Sequence, residues 1–456
     1  MQRFLPWVIL PVLAICPLAF GQDAPTAPDP AALTEAAETA AGDAVPINAG
    51  NTAFMLIASA LVLLMTPGLA FFYGGLVRRK NVLSVLMQCM MCMCLMTVLW
   101  VVIGYSLAFG PTNAGFIGGL DHMFLKGVGT EAYGDTAIPH VLFMAFQGMF
   151  AIITPALILG AYAERMKFGG FCVFSAAWLL IVYCPICHWV WGYNGEDGFF
   201  NLLGDNALDF AGGTVVHINA GIAALVATFV LGRRQGYPTR ISPPHNLPFA
   251  VLGAGLLWFG WFGFNAGSAL GAGASAANAF VTTHVAAATA GLTWSVIDWI
   301  YNGKPTVLGM ITGAVGGLVA ITPACGFVSP MGAIGVGFGA GILAYFAVAF
   351  VKEKFGYDDS LDVFGVHGVA GIWGAIAAGI WAVKEIGGTA GLLEGNAAQV
   401  GIQFKAIIYT LVYSGIVSFV LLKLVDLTVG IKASDQHERI GLDLTEHAET
   451  AYTLVD

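Results

Sequence analysis

Two histidines in apolar surroundings are the residues of this sequence best suited to do chemistry. His217 and His367 each lie in the same pattern, VHxxAGI, at 216–222 and 366–372. An imidazole can accept and pass on a proton near neutral pH, but a histidine inside an apolar helix is costly and needs a reason. A helix–helix hydrogen bond is the simpler explanation for one such residue. Two equivalent copies instead predict a pair of largely neutral rings that meet and relay protons.

Two other stretches contain side chains that could bind a cofactor. Cys184-Pro185-Ile186-Cys187-His188 has the C-x-x-C-H spacing that attaches a c-type haem, and the run QCMMCMCLM at 88–96 offers the soft ligands that copper prefers. Both stretches lie in apolar runs, where thiols and thioethers usually serve as core packing. We therefore expect no cofactor and no metal. The sequence also lacks a phosphate-binding loop, zinc-ligand spacing and a basic patch for nucleic acid, and we expect no enzyme activity.

The composition indicates the elements that must position these residues. Hydrophobic residues make up 58% of the 456 residues and charged residues only 10%, with a mean hydropathy of +0.80. Soluble domains carry about a quarter charged residues. Apolar runs of 18 or more residues recur along the chain, and each is long enough to cross a bilayer as a helix. The sequence therefore predicts an all-α polytopic membrane protein in contact with lipid.

Eleven membrane-spanning helices are predicted from residue 51 onward. Loops after the odd-numbered spans hold most Lys and Arg residues, such as 78–80 and 233–234, whereas the other loops hold only Lys126 and Lys384. Positively charged loops stay in the cytoplasm, so the mature N-terminus is predicted outside and the C-terminus inside. The predicted spans are 51–76, 84–109, 140–163, 168–191, 212–231, 247–265, 277–301, 306–323, 331–351, 365–382 and 401–428.

The repeated histidine pattern predicts an internal symmetry. One copy lies in the fifth predicted span and the other in the tenth, and each follows an aspartate and a Phe/Gly turn that begin at Asp209 and Asp362. Five is an odd number, so the second half must cross the membrane in the opposite direction. The sequence thus predicts an inverted 5+5 pseudo-two-fold repeat plus an eleventh helix, with the functional site where the repeats meet.

The two ends of the chain have different compositions from the spans. Residues 1–21 combine Arg3, a short apolar stretch and small residues before Gln22, which predicts a secretory signal peptide. Residues 22–46 are rich in Ala, Pro and acids and are expected to form a weakly ordered periplasmic segment. The transmembrane domain is predicted at 47–428 and a polar cytoplasmic tail at 429–456.

Several long motifs resemble the Amt/Rh ammonium transporter family, in its bacterial Amt branch, over about residues 50–450. The resemblance rests on PGLAFFYGGLVRRKNVLSVLMQ, which ends at Gln88, and on FQGMFAIITPALILGAYAERMKF, DFAGGTVVHINAGIAALV, WFGFNAGSAL, GMITGAVGGLVAITPACG and DVFGVHGVAGIWGA. It implies eleven helices, a homotrimer with one pore per subunit, location in the bacterial inner membrane, and ammonium or ammonia as the substrate.

The resemblance also implies roles for individual residues. The outer recruitment site for ammonium falls on Phe150, Trp191 and Ser268. Phe150 and Phe264 match the stacked rings that close the pore, and Trp261 matches an aromatic residue of the pore lining. His217 and His367 match the pore histidines, and Asp209 matches an acid that the family requires. We expect Asp209 to cap the fifth helix through backbone N–H groups and not to bind the ion directly.

The implied mechanism leaves the net charge movement open. Ammonium would be recruited at the aromatic site, would lose a proton, and would cross as ammonia, with the histidines relaying the proton or hydrogen-bonding ammonia. The favoured expectation is electrogenic transport, and the alternatives are an electroneutral ammonia channel and an ammonium sensor. The segment GLDLTEH at 441–447 resembles the tail by which these transporters contact neighbouring subunits and a cytosolic PII-type regulator.

Overall fold

Apolar α-helices make up most of the part of the chain that the computed structural model describes, namely residues 45–113, 115–192, 206–239 and 243–452. The predicted signal peptide and residues 22–44 of the predicted acidic segment lie outside these ranges. Within them, ten helices are long and apolar enough to cross a membrane. The chain is therefore an all-helical, multi-pass membrane protein.

The helices follow the predicted spans closely. The region of the predicted eighth span, 306–323, forms the helix α8, which has only 15 residues. The long helices are α1 Ala49–Leu76, α2 Arg79–Phe109, α3 His140–Tyr162, α4 Phe168–Val190, α5 Gly213–Leu231, α6 Leu247–Gly267, α7 Ala274–Asn302, α9 Pro330–Phe355, α10 Phe364–Trp381 and α11 Ala398–Thr428, and α8 is Val307–Ile321.

Polar residues at the helix starts explain where several helices begin. The side chain of Asn48 accepts a hydrogen bond from Asn51 N at the start of α1. Thr306 does the same for α8, and Ser329 for α9. The first N–H groups of a helix lack partners within the helix, and an unpaired N–H is especially unfavourable in apolar surroundings. These side chains therefore fix the helix starts.

Two helices begin with a wide π-helical turn, and each of these turns carries one of the paired histidines. In α5 the turn is Gly213–Ile218, and in α10 it is Phe364–Val369. Gly212, just before the first turn, has a φ of 115°, which glycine tolerates and other residues rarely adopt. Single π-helical turns are frequent at functional sites in proteins.

Glycine allows α5 and α10 to cross in direct contact. A Cβ atom added to Gly221 would overlap backbone atoms of Gly368. Small residues let helices approach closely where no hydrophobic effect drives them together, as in lipid. Because Gly368 lies within one histidine-bearing turn and Gly221 lies just after the other, their contact brings those turns together.

The remaining elements lie at the two ends of the helices. Between α2 and α3, strands β1 Thr112–Asn113 and β2 Ile117–Gly118 form an antiparallel hairpin. Two short helices, α12 Asp435–Ile440 and α13 Leu442–His447, follow α11. Short helical turns lie at Met123–Leu125, Lys384–Gly387 and Leu392–Glu394.

Candidate functional site

A vestibule opens at one end of the helices and contains two of the three predicted recruitment residues. Trp191 and Ser268 line this cavity of about 310 Å³. The hydroxyl group of Ser268 donates to Phe264 O at 2.9 Å, so its lone pairs stay free to accept from a ligand. The other lining residues are Tyr133, Thr136, Phe143, Gln147, Val190, Phe210 and Leu270.

Two phenylalanine rings close the space between the vestibule and the histidines. Phe150 and Phe264 have ring centroids 4.2 Å apart, and both residues are 1% exposed. Phe150 and Trp191 are in edge-to-face contact, with ring centroids 5.6 Å apart and an interplanar angle of 85°. Trp191, Phe150 and Phe264 therefore form a continuous series of ring contacts that leads from the vestibule toward the histidines.

His217 and His367 are in contact directly behind the rings of Phe150 and Phe264. Their Nδ1 atoms are 3.2 Å apart and their rings are nearly parallel, at 23°. In such a contact one Nδ1 must donate a proton and the other must accept it. His217 also stacks on Trp261 at 5.4 Å, and the Trp261 indole is fixed by a hydrogen bond to Thr322 Oγ1.

The histidine pair faces a narrow apolar cavity. The cavity has a volume of about 10 Å³, which is about the minimum that holds one water-sized molecule. The Nε2 atom of His217 is buried and has no hydrogen-bond partner among the described residues. The cavity is lined by Met65, Leu69, Phe72, Ile153, Leu157, Val216, His217, Leu257, Trp261, Phe264, Val315 and His367. A small neutral hydrogen-bonding molecule matches this space.

Asp209 caps the start of α5 and also orients Trp191. Its carboxylate accepts from the backbone N–H groups of four residues and from the Thr214 hydroxyl. Its main-chain oxygen accepts from the Trp191 indole at 2.9 Å. The backbone donors are Gly212, Gly213, Thr214 and Val215. One residue thus links the vestibule wall to the helix that carries His217.

Before His367, the residue in the position that Asp209 takes before His217 is Asp359. The match of Asp209 with Asp362, which the sequence pattern predicted, was wrong. Asp359 accepts from Phe364 N at 2.7 Å at the start of α10. Asp362 instead forms an ion pair with Lys352, at 2.6 Å. Asp209 precedes His217 by the same number of residues as Asp359 precedes His367. That equal spacing was the signal available in the sequence, but the Phe/Gly turn near Asp362 obscured it.

A buried ion network lies at the opposite end of the helices from the vestibule. Glu164 accepts from Arg78 and from Arg234, each at 2.9 Å, and Arg234 forms a two-point pair with Asp358. Burial alone would raise the pKa values of Glu164 and Asp358, but the guanidinium groups outweigh it and hold both pKa values below their usual range. This network joins the ends of α1, α3, α5 and α9.

Asp359 lies beside this network but lacks its pairing. The residue is fully buried, and its Oδ1 has no hydrogen-bond partner among the described residues. Burial raises the pKa of Asp359 to about 6, with Lys352 acting in the opposite direction. A carboxyl group in this state favours its protonated form more than an ordinary aspartate does.

The C-terminal tail packs against the same end of the helices. Glu438 accepts from Gln235 N at 2.6 Å, and Asp443 accepts from Ser84 N at 2.8 Å. Leu442 N donates to Asn81 at 2.8 Å. Although the tail is polar in composition, Glu438 and Asp443 are buried and satisfy backbone N–H groups at the helix ends.

The haem-like motif lies inside a packed helix. Cys184 and Cys187 are fully buried in α4. Both ring nitrogens of His188 have partners, which are Ala108 O at 2.9 Å and the Thr112 hydroxyl at 3.0 Å. Cys89 and Cys92 of the methionine-rich run are also fully buried in α2. Within the described ranges, no three His, Cys, Asp or Glu side chains are grouped as a metal site.

Comparisons with known proteins agree on one family. The family model described as Ammonium Transporter Family matches residues 53–452. An ammonium transporter of Bacillus subtilis is 50% identical over 407 residues, which cover 88% of this chain and 98% of the relative. The crystal structure of Candida albicans Mep2 is 35% identical, with a TM-score of 0.80, and 89% of this chain and 91% of that chain are covered.

A structure described as a sensor Amt protein is also similar, with 28% identity and a TM-score of 0.81 over 87% of this chain and 98% of that one. The family match covers most of the chain, and it agrees with the resemblance of the motifs around both histidines. The chain therefore belongs to the ammonium transporter family.

Proposed function

We propose that this protein transports ammonium by recruiting the cation at the vestibule and conducting ammonia past the paired histidines. The observation that carries this proposal is the direct Nδ1–Nδ1 contact of His217 and His367 behind a closed pair of phenylalanine rings. The related transporters named above support the substrate.

The vestibule residues fit recruitment of a small cation. The faces of the Trp191 and Phe150 rings attract positive charge through their electron-rich centres. Ser268 offers a hydroxyl oxygen to an N–H donor. The aromatic rings supply no oxygen ligands of the kind that replace the hydration shell of potassium. These features favour a cation that carries its own hydrogen-bond donors.

The narrow stretch beyond the rings favours a neutral species. Moving a small ion from water into a medium of low dielectric costs on the order of 20 kcal/mol in the idealised limit. Ammonium can avoid this by leaving a proton behind, whereas potassium has no proton to lose. Ammonia then fits the small apolar cavity at the histidines. The contact between the two rings provides a route for the separated proton, which makes the net transport electrogenic.

Further features of the proposal follow from the family and the sequence. They are a homotrimer in the bacterial inner membrane, a periplasmic N-terminus after signal cleavage, and eleven crossing helices in an inverted 5+5 repeat plus one. In this arrangement α8 also crosses the membrane and brings the number of crossing helices to eleven. The inverted repeat relates the π-helical turn of α5 to the π-helical turn of α10. The tail faces the cytoplasm, where a PII-type regulator binds it.

The test is the transient current of proteoliposomes after an ammonium concentration jump. We expect a current in the native protein and a loss of at least ten-fold in His217→Ala and His367→Ala, because either change breaks the ring contact. His284→Ala is the matched control, since His284 is exposed on α7 and lies outside the cavity lining. Its current should equal that of the native protein.

Internal pH measured in the same liposomes separates the alternatives. Uptake of ammonia without current would show an electroneutral channel and would contradict the proton relay. The absence of both current and uptake would contradict transport and would favour the ammonium sensor. The similarity to the sensor Amt structure is the observation that supports this alternative.

A further inference from the structure

Gln147 is a vestibule residue to which neither the sequence motifs nor the family resemblance gave a role. It lies on α3 one turn before Phe150, and it lines the cavity together with Phe143, Trp191 and Ser268. Residues three and four apart share a helix face, so Phe143, Gln147 and Phe150 form one stripe toward the vestibule. The carboxamide is the polar group of that stripe.

The carboxamide of Gln147 is buried without a full set of partners. The residue is only 8% exposed, and its Oε1 finds no hydrogen-bond partner among the described residues. By contrast, the buried Gln403 accepts from Leu208 N at 2.6 Å and donates to two backbone oxygens. A half-turn of the terminal bond of Gln147 exchanges oxygen and nitrogen within the same volume. The oxygen can therefore face the vestibule, where an incoming donor would satisfy it.

A bound ammonium ion has four N–H groups to satisfy. Ser268 supplies one hydroxyl acceptor, and the Trp191 and Phe150 rings supply faces and not oxygen atoms. We propose that the Gln147 carboxamide oxygen is a further acceptor for the ammonium ion in the vestibule, and that it helps to select ammonium over methylated amines. This inference rests on the proposed function of the vestibule.

Selection follows from what a methyl group replaces. Methylammonium has one N–H fewer than ammonium, so it can leave an acceptor unsatisfied in a buried site. Sites that hydrogen-bond their substrate discriminate strongly against analogues that lack the donor. An apolar side chain at position 147 would remove this penalty for the methyl group. The native protein should therefore prefer ammonium, and an apolar variant should prefer it less.

The experiment measures uptake of ammonium and of methylammonium into proteoliposomes of the full-length protein over a range of concentrations. For Gln147→Leu we expect the half-saturating ammonium concentration to rise about ten-fold, while the maximal rate stays within two-fold of the native value. A hydrogen bond to a charged group is strong enough for a change of this size. The preference for ammonium over methylammonium should fall about five-fold or more.

Gln88→Leu is the matched control, because Gln88 is another buried glutamine whose Oε1 has no partner in the described part of the chain, but it lies on α2 and does not line the vestibule. It should change neither quantity. A general packing defect would slow both substrates equally, and equal slowing in Gln147→Leu would overturn the proposal. So would unchanged half-saturation and an unchanged preference.

Gln147→Glu keeps the test decisive if the leucine variant does not fold. It preserves the size and the acceptor oxygens, so its half-saturating ammonium concentration should be equal to or lower than that of the native protein. A rise would contradict the acceptor role. If the native protein takes up neither amine, the proposed function itself fails, and that outcome is distinct from a native protein that transports while Gln147 proves irrelevant.

Discussion

The two aspartates that precede the paired histidines occupy matching places but are stabilised differently. Asp209 uses both carboxylate oxygens to accept from four backbone N–H groups and a hydroxyl. Asp359 accepts from Phe364 N through one oxygen, and its other oxygen has no hydrogen-bond partner in the described ranges. The start of the helix that carries His217 is thus held by hydrogen bonds from backbone N–H groups and a hydroxyl. The start of the helix that carries His367 lies beside the buried ion pairs of Glu164 and Asp358.

This difference matches what the two ends have to hold. Beside Asp209 stand aromatic rings whose positions decide the shape of the vestibule, and a fully bonded cap keeps Trp191 in place. Beside Asp359 lie the ion network of Glu164 and the packed tail. Charges respond to pH and to binding partners more strongly than dipoles do. We therefore expect changes of pH or of binding partner to alter the structure at the tail end more than at the vestibule end.

The largest expected effect comes from breaking the ion network. Glu164→Gln removes the buried carboxylate that Arg78 and Arg234 share, and removal of one partner of a buried ion pair costs about 3–5 kcal/mol. We expect a clear fall in the thermal unfolding midpoint of the detergent-solubilised protein and loss of tail packing, seen as faster proteolysis near residue 440. An unchanged midpoint would show that the network is not what holds this end together.

The next effect tests the cap at the vestibule end. Asp209→Asn puts an NH₂ group opposite N–H donors, so at least one of the charge-assisted hydrogen bonds is lost, at about 1.5–3 kcal/mol each. The unfolding midpoint should fall, and the fluorescence of Trp191 should change because its partner carbonyl moves. Asp362→Asn, on the more exposed Asp362–Lys352 pair, is the comparison variant and should have a smaller effect.

The smallest effect, of opposite sign, is expected at Asp359. Its pKa is raised to about 6, chiefly by burial, so the folded state holds the proton more tightly than the unfolded chain does. Its contribution to stability is therefore complete below the ordinary pKa near 3.8 and is lost as the pH rises through 6. Asp359→Asn should then stabilise the protein above pH 7, by about 1–3 kcal/mol on the scale of 1.36 kcal/mol per pKa unit.

Unfolding midpoints measured between pH 4 and pH 8 check this expectation. The gain of the Asn variant should shrink toward pH 4, where the Asp359 carboxyl group of the native protein is protonated in the folded state and partly protonated in the unfolded chain. Glu164, whose pKa is lowered by its arginines, should contribute with the opposite pH dependence, fully above pH 4.5 and less as the pH falls. A destabilised Asp359→Asn protein at pH 8 would show that Asp359 is a paired charge after all.

Much of the fold could be predicted because membrane helices are long and uniformly apolar. Hydropathy alone located the ten long helices within a few residues. The histidine pair could be anticipated because the VHxxAGI pattern occurs twice, although its 3.2 Å contact depends on the crossing at Gly221 and Gly368. Long apolar runs and a repeated motif are visible in a single sequence, and these two signals predict the helices and the histidine pair.

The rest depends on contacts between distant segments. Nothing near Glu164 in the sequence indicates that Arg78 and Arg234 will converge on it, since these residues approach only after four helices have packed. The position of Gln147 in the vestibule lining depends in the same way on which face of α3 turns inward. Asp359 was missed because a neighbouring aspartate stands before a more recognisable turn. Such choices are decided by packing geometry, which local patterns do not record.

The π-helical turns at the two histidines have a consequence for how this protein tolerates insertions and deletions. A π-helical turn holds about one residue more than a turn of the α-helix that follows it, and each residue of an α-helix turns the chain by about 100°. Removing one residue from Gly213–Ile218 or Phe364–Val369 would let the turn relax into a regular α-helical turn and would rotate the residues before the deletion relative to the rest of the helix. The imidazole would then point away from its partner even though both histidines remain in the sequence. Residue count, as well as residue identity, is therefore under constraint in these two segments.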